Sequence, residues 1–304
     1  MRRIAIAMMM IAVTSLMFLV LAGCRSESHH QSSVGYLKII NNTNAPITIT
    51  WTSDNTHNTV DANAYRIFEF DMDNKVTSPS VISTTYTTSG LYLHEVTRTD
   101  DIYVNETTTH SFEPDRGCIK FINNTEGPVY LAINGLLNPI TIPEHADYVQ
   151  AWRFDGSTGP VSFTKSGDFV FTSDGQANVY LNATGTYPID ATGAAILVRN
   201  YSTSPISEVY ISPHSEANWG DNDLMGTISP GHYIVWTVTP NTWDVKVANN
   251  DGYYSTWTNN DYIDLNQYLT IDFDPSKAPD KHAGDKPMGS GSAHVGANRI
   301  QQVR

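Results

Sequence analysis

Leu37-Lys38-Ile39-Ile40-Asn41-Asn42-Thr43 is followed by Pro46-Ile47. The pattern returns as Ile119-Lys120-Phe121-Ile122-Asn123-Asn124-Thr125 with Pro128-Val129, and again as Ile196-Leu197-Val198-Arg199-Asn200-Tyr201-Ser202 with Pro205-Ile206. Each copy is a short apolar run, then an Asn-rich turn, then a Pro that fixes an extended re-entry. Two further landmarks keep the same order. Thr59-Val60, Thr141-Ile142 and Thr227-Ile228 each lead towards a Tyr (Tyr65, Tyr148, Tyr233). Val104-Asn105, Leu181-Asn182 and Leu265-Asn266 each precede a Thr and a closing apolar residue (Phe112, Ile189, Phe273). Landmarks repeated in register indicate tandem duplication, with units over 34–115, 116–191 and 192–274.

Inside each unit the runs are short and rich in Val, Ile, Thr, Tyr and Trp, which suit a pleated surface. They predict strands over 36–40, 47–51, 129–133, 208–211, 233–238, 244–247 and 269–273. Turn signals separate them, among them Ser166-Gly167, Pro230-Gly231 and Asn250-Asp251-Gly252. No segment outside the N-terminus has a convincing helical period. Six or seven strands per unit predict an all-β chain of three tandem small antiparallel β-sandwiches.

Composition agrees. Of 304 residues only 16% are charged, while Thr occurs 33 times and Asn 24 times. Polarity therefore comes from neutral hydroxyl and amide groups. A coiled coil would be rich in Glu, Lys and Leu. A nucleic-acid binder would carry a basic face, and the net charge of −13 argues against one. Arg2 and Arg3 sit at the start and five cations sit in a small, polar tail over 275–304, so the segment between is more acidic still. The tail, lacking apolar periodicity, is expected to be disordered.

The N-terminus reads as an export signal: Arg2-Arg3, an apolar run over 4–22, then Leu21-Ala22-Gly23-Cys24. That ending resembles the lipobox of bacterial lipoproteins. The resemblance implies cleavage after residue 23, acylation of Cys24, and a membrane partner reached through several acyl chains. Arg25 in place of an Asp points to the outer membrane of the cell envelope, followed by a flexible leader over 24–33. Cys118 is then a lone cysteine, expected to be buried near the start of a strand. The third unit resembles β-sandwich modules of uncharacterised bacterial exported proteins, through Asn200-Tyr201-Ser202, Val209-Tyr210-Ile211, Asn218-Trp219-Gly220-Asp221-Asn222, Leu224, Asp244-Val245 and Asp251-Gly252. That resemblance implies a fold and no activity.

Candidate chemistry is sparse. Asp221-Asn222-Asp223 with Gly226 matches the opening of a calcium loop, but His232 occupies the position of the bidentate Glu. A structural calcium ion is therefore a minor expectation, as it is at Asp71-Met72-Asp73-Asn74. The ten His are scattered without zinc spacing. Hydrolase elbows and His-Glu-x-x-His are absent, leaving only an unrecognised carboxylate pair as an enzymatic alternative. The third unit holds four of the six Trp. Trp236 and Trp243 fall in strands and read as core. Trp219 and Trp257 fall among amides and carboxylates, where they form either an exposed patch for glycan or protein, together with Asp221, Asn222 and Asp223, or packing. The sequence thus leads to a non-enzymatic, lipid-anchored surface binding module, with a structural spacer or assembly component of the envelope as the alternative.

Overall fold

The computed structural model describes residues 33–72, 81–154, 159–258, 262–276 and 299–300. Cys24 and most of the leader and tail lie outside the described residues. The described chain is all-β, with no helix and six small sheets.

The first group of strands is β1 (Val34–Asn41), β2 (Ile47–Trp51), β3 (His57–Val60), β4 (Tyr65–Asp71), β5 (Val81–Gly90), β6 (Leu93–Tyr103) and β7 (Thr107–Phe112). The second is β8 (Arg116–Asn123), β9 (Val129–Ile133), β10 (Ile140–Ile142), β11 (Asp147–Arg153), β12 (Pro160–Gly167), β13 (Val170–Asn178) and β14 (Thr184–Ile189). The third is β15 (Ala194–Asn200), β16 (Ile206–Pro213), β17 (Tyr233–Val238), β18 (Trp243–Asn249), β19 (Tyr254–Thr258) and β20 (Tyr268–Phe273), joined by β21 (Arg299–Ile300).

Strand order is alike in the three groups. One sheet runs β4-β1-β7, β11-β8-β14 or β17-β15-β20, and the other runs β3-β2-β5-β6, β10-β9-β12-β13 or β16-β18-β19. The third group replaces the short strand β3 or β10 by a single bridge between Ile206 and Ile228.

The sheets are antiparallel except at one pairing per group. β1 pairs with β7, β8 with β14 and β15 with β20 in parallel. A parallel pair needs a long crossover, and here the strands of the opposite sheet supply it. Within the tail, Arg299 and Ile300 pair antiparallel with Trp236 and Val235 on the edge of β17.

Alternation fills the space between the sheets. Burial in β1 alternates along the strand, with Leu37 and Ile39 fully inward. They meet Ile47, Ile49, Tyr86 and Ile102. Phe121 packs edge-to-face on Phe163 in the second core, and the third gathers Val198, Trp236, Trp243 and Val245. Burying each such side chain is worth about 1.5–3 kcal/mol before entropy is subtracted. Thr lines the wet faces, where Thr85 meets Thr99 at 2.8 Å and Thr87 meets Thr97 at 2.9 Å across β5 and β6.

The recurring Asn ends the first strand of each group and is a buried hub. Asn123 Nδ2 donates to the carbonyls of Gly127 (2.8 Å), Ile142 (3.1 Å) and Pro143 (2.8 Å), while Oδ1 accepts from Thr125 N (2.9 Å). Asn41 repeats this with Ala45, Val60, Asp61 and Thr43. Asn200 does so with Ser204, Ile228 and Ser202. Only an amide offers two donors and an acceptor on so short a stem. One buried side chain thus ties the turn after the first strand to the end of the next strand or bridge of the facing sheet.

Candidate functional site

The loop between β16 and β17 holds the residues singled out for binding. Trp219 is only 3% exposed, so of the two alternatives for this indole, patch or packing, it takes packing. Asn218, just before it, is tied by its carbonyl to Ser212 Oγ at 3.0 Å, so the loop folds back on the end of β16. Asn222 Oδ1 accepts from Val209 N and Leu224 N, both at 2.9 Å. Asp223, also buried, accepts from Ile211 N at 2.8 Å through Oδ2 and donates its own N to Val209 O at 2.8 Å. These side chains do for the edge of β16 what β3 does for β2 and β10 for β9: they satisfy amides that a missing strand leaves open. Asp221 and Asn222 are exposed, whereas Asp223 is buried. Trp257 is half-buried and packs against the third core. Among the described residues no cluster of three or more His, Cys, Asp and Glu could hold a metal ion. Asp73 and Asn74 lie outside the described residues.

One buried polar network stands apart from the loop. The hydroxyl of Tyr86 donates to Asp100 Oδ2 at 2.6 Å, and His110 Nδ1 lies 3.1 Å from the same oxygen. Arg98 Nη1 approaches His110 Nε2 at 3.1 Å. Burial, then the adjacent carboxylate, drives the Tyr86 hydroxyl far above its ordinary pKa. Its only carboxylate is already engaged by Tyr86 and His110, so the cluster reads as an internal tie.

The most organised polar geometry lies where consecutive groups meet. At the first junction the β5–β6 hairpin turns at Leu91-Tyr92. The Tyr92 carbonyl accepts from Asp115 N (3.0 Å) and Arg116 N (3.1 Å), and its hydroxyl meets Thr184 Oγ1 (2.8 Å). Tyr92, Ala45 and Cys118 form one buried cluster. Burial pushes the Cys118 thiol up. At the second junction the β12–β13 hairpin turns at Asp168-Phe169. The Phe169 carbonyl accepts from Thr192 N (2.8 Å) and Gly193 N (3.0 Å). Its ring packs on Ala195, Leu197 and Val235.

A second contact recurs at both junctions. Asn44 N donates to Asn182 Oδ1 at 2.6 Å, and Glu126 N donates to Asn266 Oδ1 at 2.9 Å. Asn182 and Asn266 hold left-handed backbone at φ 59° and 64°, which Asn tolerates better than most residues. Sequence reasoning singled out Asn182 and Asn266 as landmarks but assigned them no contact. It missed Tyr92 and Phe169, whose signal was a bulky aromatic at the tip of a two-residue hairpin.

Beside the second junction lies a half-open recess of about 340 Å³, lined by Thr141, Pro143, Glu144, Asp168, Tyr233 and Tyr268 among others. Tyr268 donates to Asp168 Oδ2 at 2.6 Å. The recess offers two phenol rings, two carboxylates and a hydroxyl, a set suited to a polyhydroxylated ligand or a polar peptide edge.

No family model matches this chain, and no curated protein matches it. Among solved structures it is similar to the Bacillus anthracis TIE protein, at 9% identity and a TM-score of 0.23, covering 79% of this chain and 50% of that one. It is also similar to a Ca²⁺-stabilized adhesin with which an Antarctic bacterium binds ice, at 12% identity and a TM-score of 0.14, covering 77% and 74%. A 1.5-MDa bacterial ice-binding adhesin matches at 11% identity and a TM-score of 0.14, covering 79% and 98%. The chain spans half the length of the first of these structures.

Proposed function

We propose that the protein is a non-enzymatic, lipid-anchored arm of the bacterial cell envelope, a structural spacer whose joined β units give reach from the membrane. The observation that carries this reading is the twofold construction of one joint. A hairpin tip is clamped by two backbone bonds, and an Asn side chain accepts from the opposing turn, at both Tyr92/Asn182 and Phe169/Asn266. Linkers of three or four residues between β7 and β8 and between β14 and β15 leave little slack. Anchoring through Cys24, on the outer membrane, supplies the fixed end.

The test uses the lipidated protein in vesicles, labelled at Glu95 in β6 or at Ser215 in the third unit. A dye in the bilayer should quench the Glu95 label more than the Ser215 label. Equal quenching at both sites would contradict the arm. Cys24→Ser should release the protein from membranes, and retention would contradict the anchor.

A surface binding module is the second reading, favoured by the recess beside Tyr233 and Glu144. A glycan array and a pull-down with the unlipidated chain would detect such a ligand. Glu144→Ala and Tyr233→Ala should then weaken its capture, whereas Trp219 substitutions should not act on binding directly.

A further inference from the structure

Among the described residues, one half of this joint is without a partner in the first unit and the other half in the third. Asn105 occupies in the first unit the place that Asn182 and Asn266 occupy in the second and third. It has the same left-handed backbone, at φ 60°. Asn182 and Asn266 are half-buried, whereas Asn105 is exposed and its side chain makes no hydrogen bond among the described residues. At the other end Thr203 follows Asn200-Tyr201-Ser202 as Asn44 and Glu126 follow their own triplets. It is likewise exposed, and its amide has no partner among the described residues.

We propose that these two free halves join between molecules, the third unit of one copy docking head to tail on the first unit of a second copy. The joint is heterologous, since a hairpin tip always meets a sheet face. Such an interface repeated between copies extends as an open chain rather than closing as a twofold dimer.

The chemistry of the two ends is complementary in a different way from the internal joints. The hairpin tip of the third unit is Asn250-Asp251-Gly252-Tyr253, so it presents an acid beside an exposed aromatic ring. Asp251 and Asp274 both line the recess beside Thr203. On the receiving sheet of the first unit, Tyr36 stands where Cys118 and Ala195 are buried, and Lys38 stands where Leu197 is buried. Ile67 is 50% exposed; its counterpart beside Lys120 in the second unit, Val149, is 40% exposed, and that in the third, Val235, is 5% exposed under Phe169. The receiving side adds the aromatic Tyr36 to the Tyr253 of the tip, and its cation Lys38 faces an acidic tip. With less apolar area than at Phe169, the contact should be reversible.

Disulfide trapping tests this proposal in the full mature chain carrying Cys24→Ser and Cys118→Ala, so that introduced thiols stand alone. Asn44→Cys with Asn182→Cys should form an internal disulfide and shows that this geometry can be bridged. Asn105→Cys mixed with Thr203→Cys should give the mixed dimer in several-fold excess over either homodimer, and the double variant should give a ladder. A statistical mixture of dimers, or no cross-link under conditions where the internal pair forms, would overturn the proposal. Cross-linking that appears only after residues 25–32 are deleted would assign the face to the chain's own leader and would also overturn it.

Discussion

The Phe169 ring of the second unit lies 4.4 Å from the Tyr268 ring of the third, edge to face at 64°. The Tyr268 hydroxyl turns back to Asp168, the neighbour of Phe169, at 2.6 Å. Two adjacent hairpin residues therefore hold one partner by ring and by oxygen, which fixes orientation as well as distance. Aromatic pairs of this kind add about 0.5–1.5 kcal/mol beyond burial.

Phe169→Ala should loosen that joint. Removing a fully buried phenyl ring costs about 3–5 kcal/mol in a packed core, and at this joint the cost should fall on the third unit's docking. Proteolysis should then cut within 190–193 faster than in the parent protein, while far-ultraviolet dichroism stays nearly unchanged.

Asn123→Ala should destabilise the second unit by roughly 3 kcal/mol, since three carbonyls and one amide lose a buried partner. Denaturant midpoints measure this. Asn124→Ala, whose Nδ2 meets Asp190 Oδ1 in an exposed position, should change the midpoint little.

Trp219→Ala should act on stability. A large indole that is 3% exposed leaves a cavity when truncated, at a cost of about 3–5 kcal/mol. Asp223→Asn should also destabilise, because Ile211 N loses a charged acceptor. If a ligand is found, a loss of its capture by Trp219→Ala at full retention of thermal stability would contradict the buried role.

Tyr86 sets an alkaline limit. Its folded pKa is raised by burial and by Asp100, so the native state holds the phenolic proton more tightly than the unfolded chain. The stabilisation is complete below the unfolded pKa of about 10 and is lost as pH rises above it, at about 1.4 kcal/mol per pH unit. Tyr86→Phe should remove this component of the slope between roughly pH 10 and 11 in denaturation curves.

The all-β class and most strand positions were legible because alternation with β-branched residues leaves few other folds. Asn41, Asn123 and Asn200 were visible as a motif, and only coordinates reveal that each ties its turn to the facing sheet. The parallel closing pairs were not legible, since Thr109 and Phe112 fix a strand but not its neighbour. Trp219 stayed open between patch and packing because its neighbours are polar, and the side chains of Asn222 and Asp223 spend that polarity on the edge of β16. The joints escaped notice because Tyr92 and Phe169 sit in hairpin tips of unlike composition, Leu91-Tyr92 and Asp168-Phe169.

The central claim is that consecutive units are held in one orientation. Nitroxides at Glu95→Cys and Ser215→Cys, in the Cys24→Ser, Cys118→Ala background, report the distance between the first and third units by electron–electron double resonance. One narrow distance distribution, broadened by Phe169→Ala, is the result expected of clamped joints. A broad distribution in the parent protein, unchanged by Phe169→Ala, would contradict them.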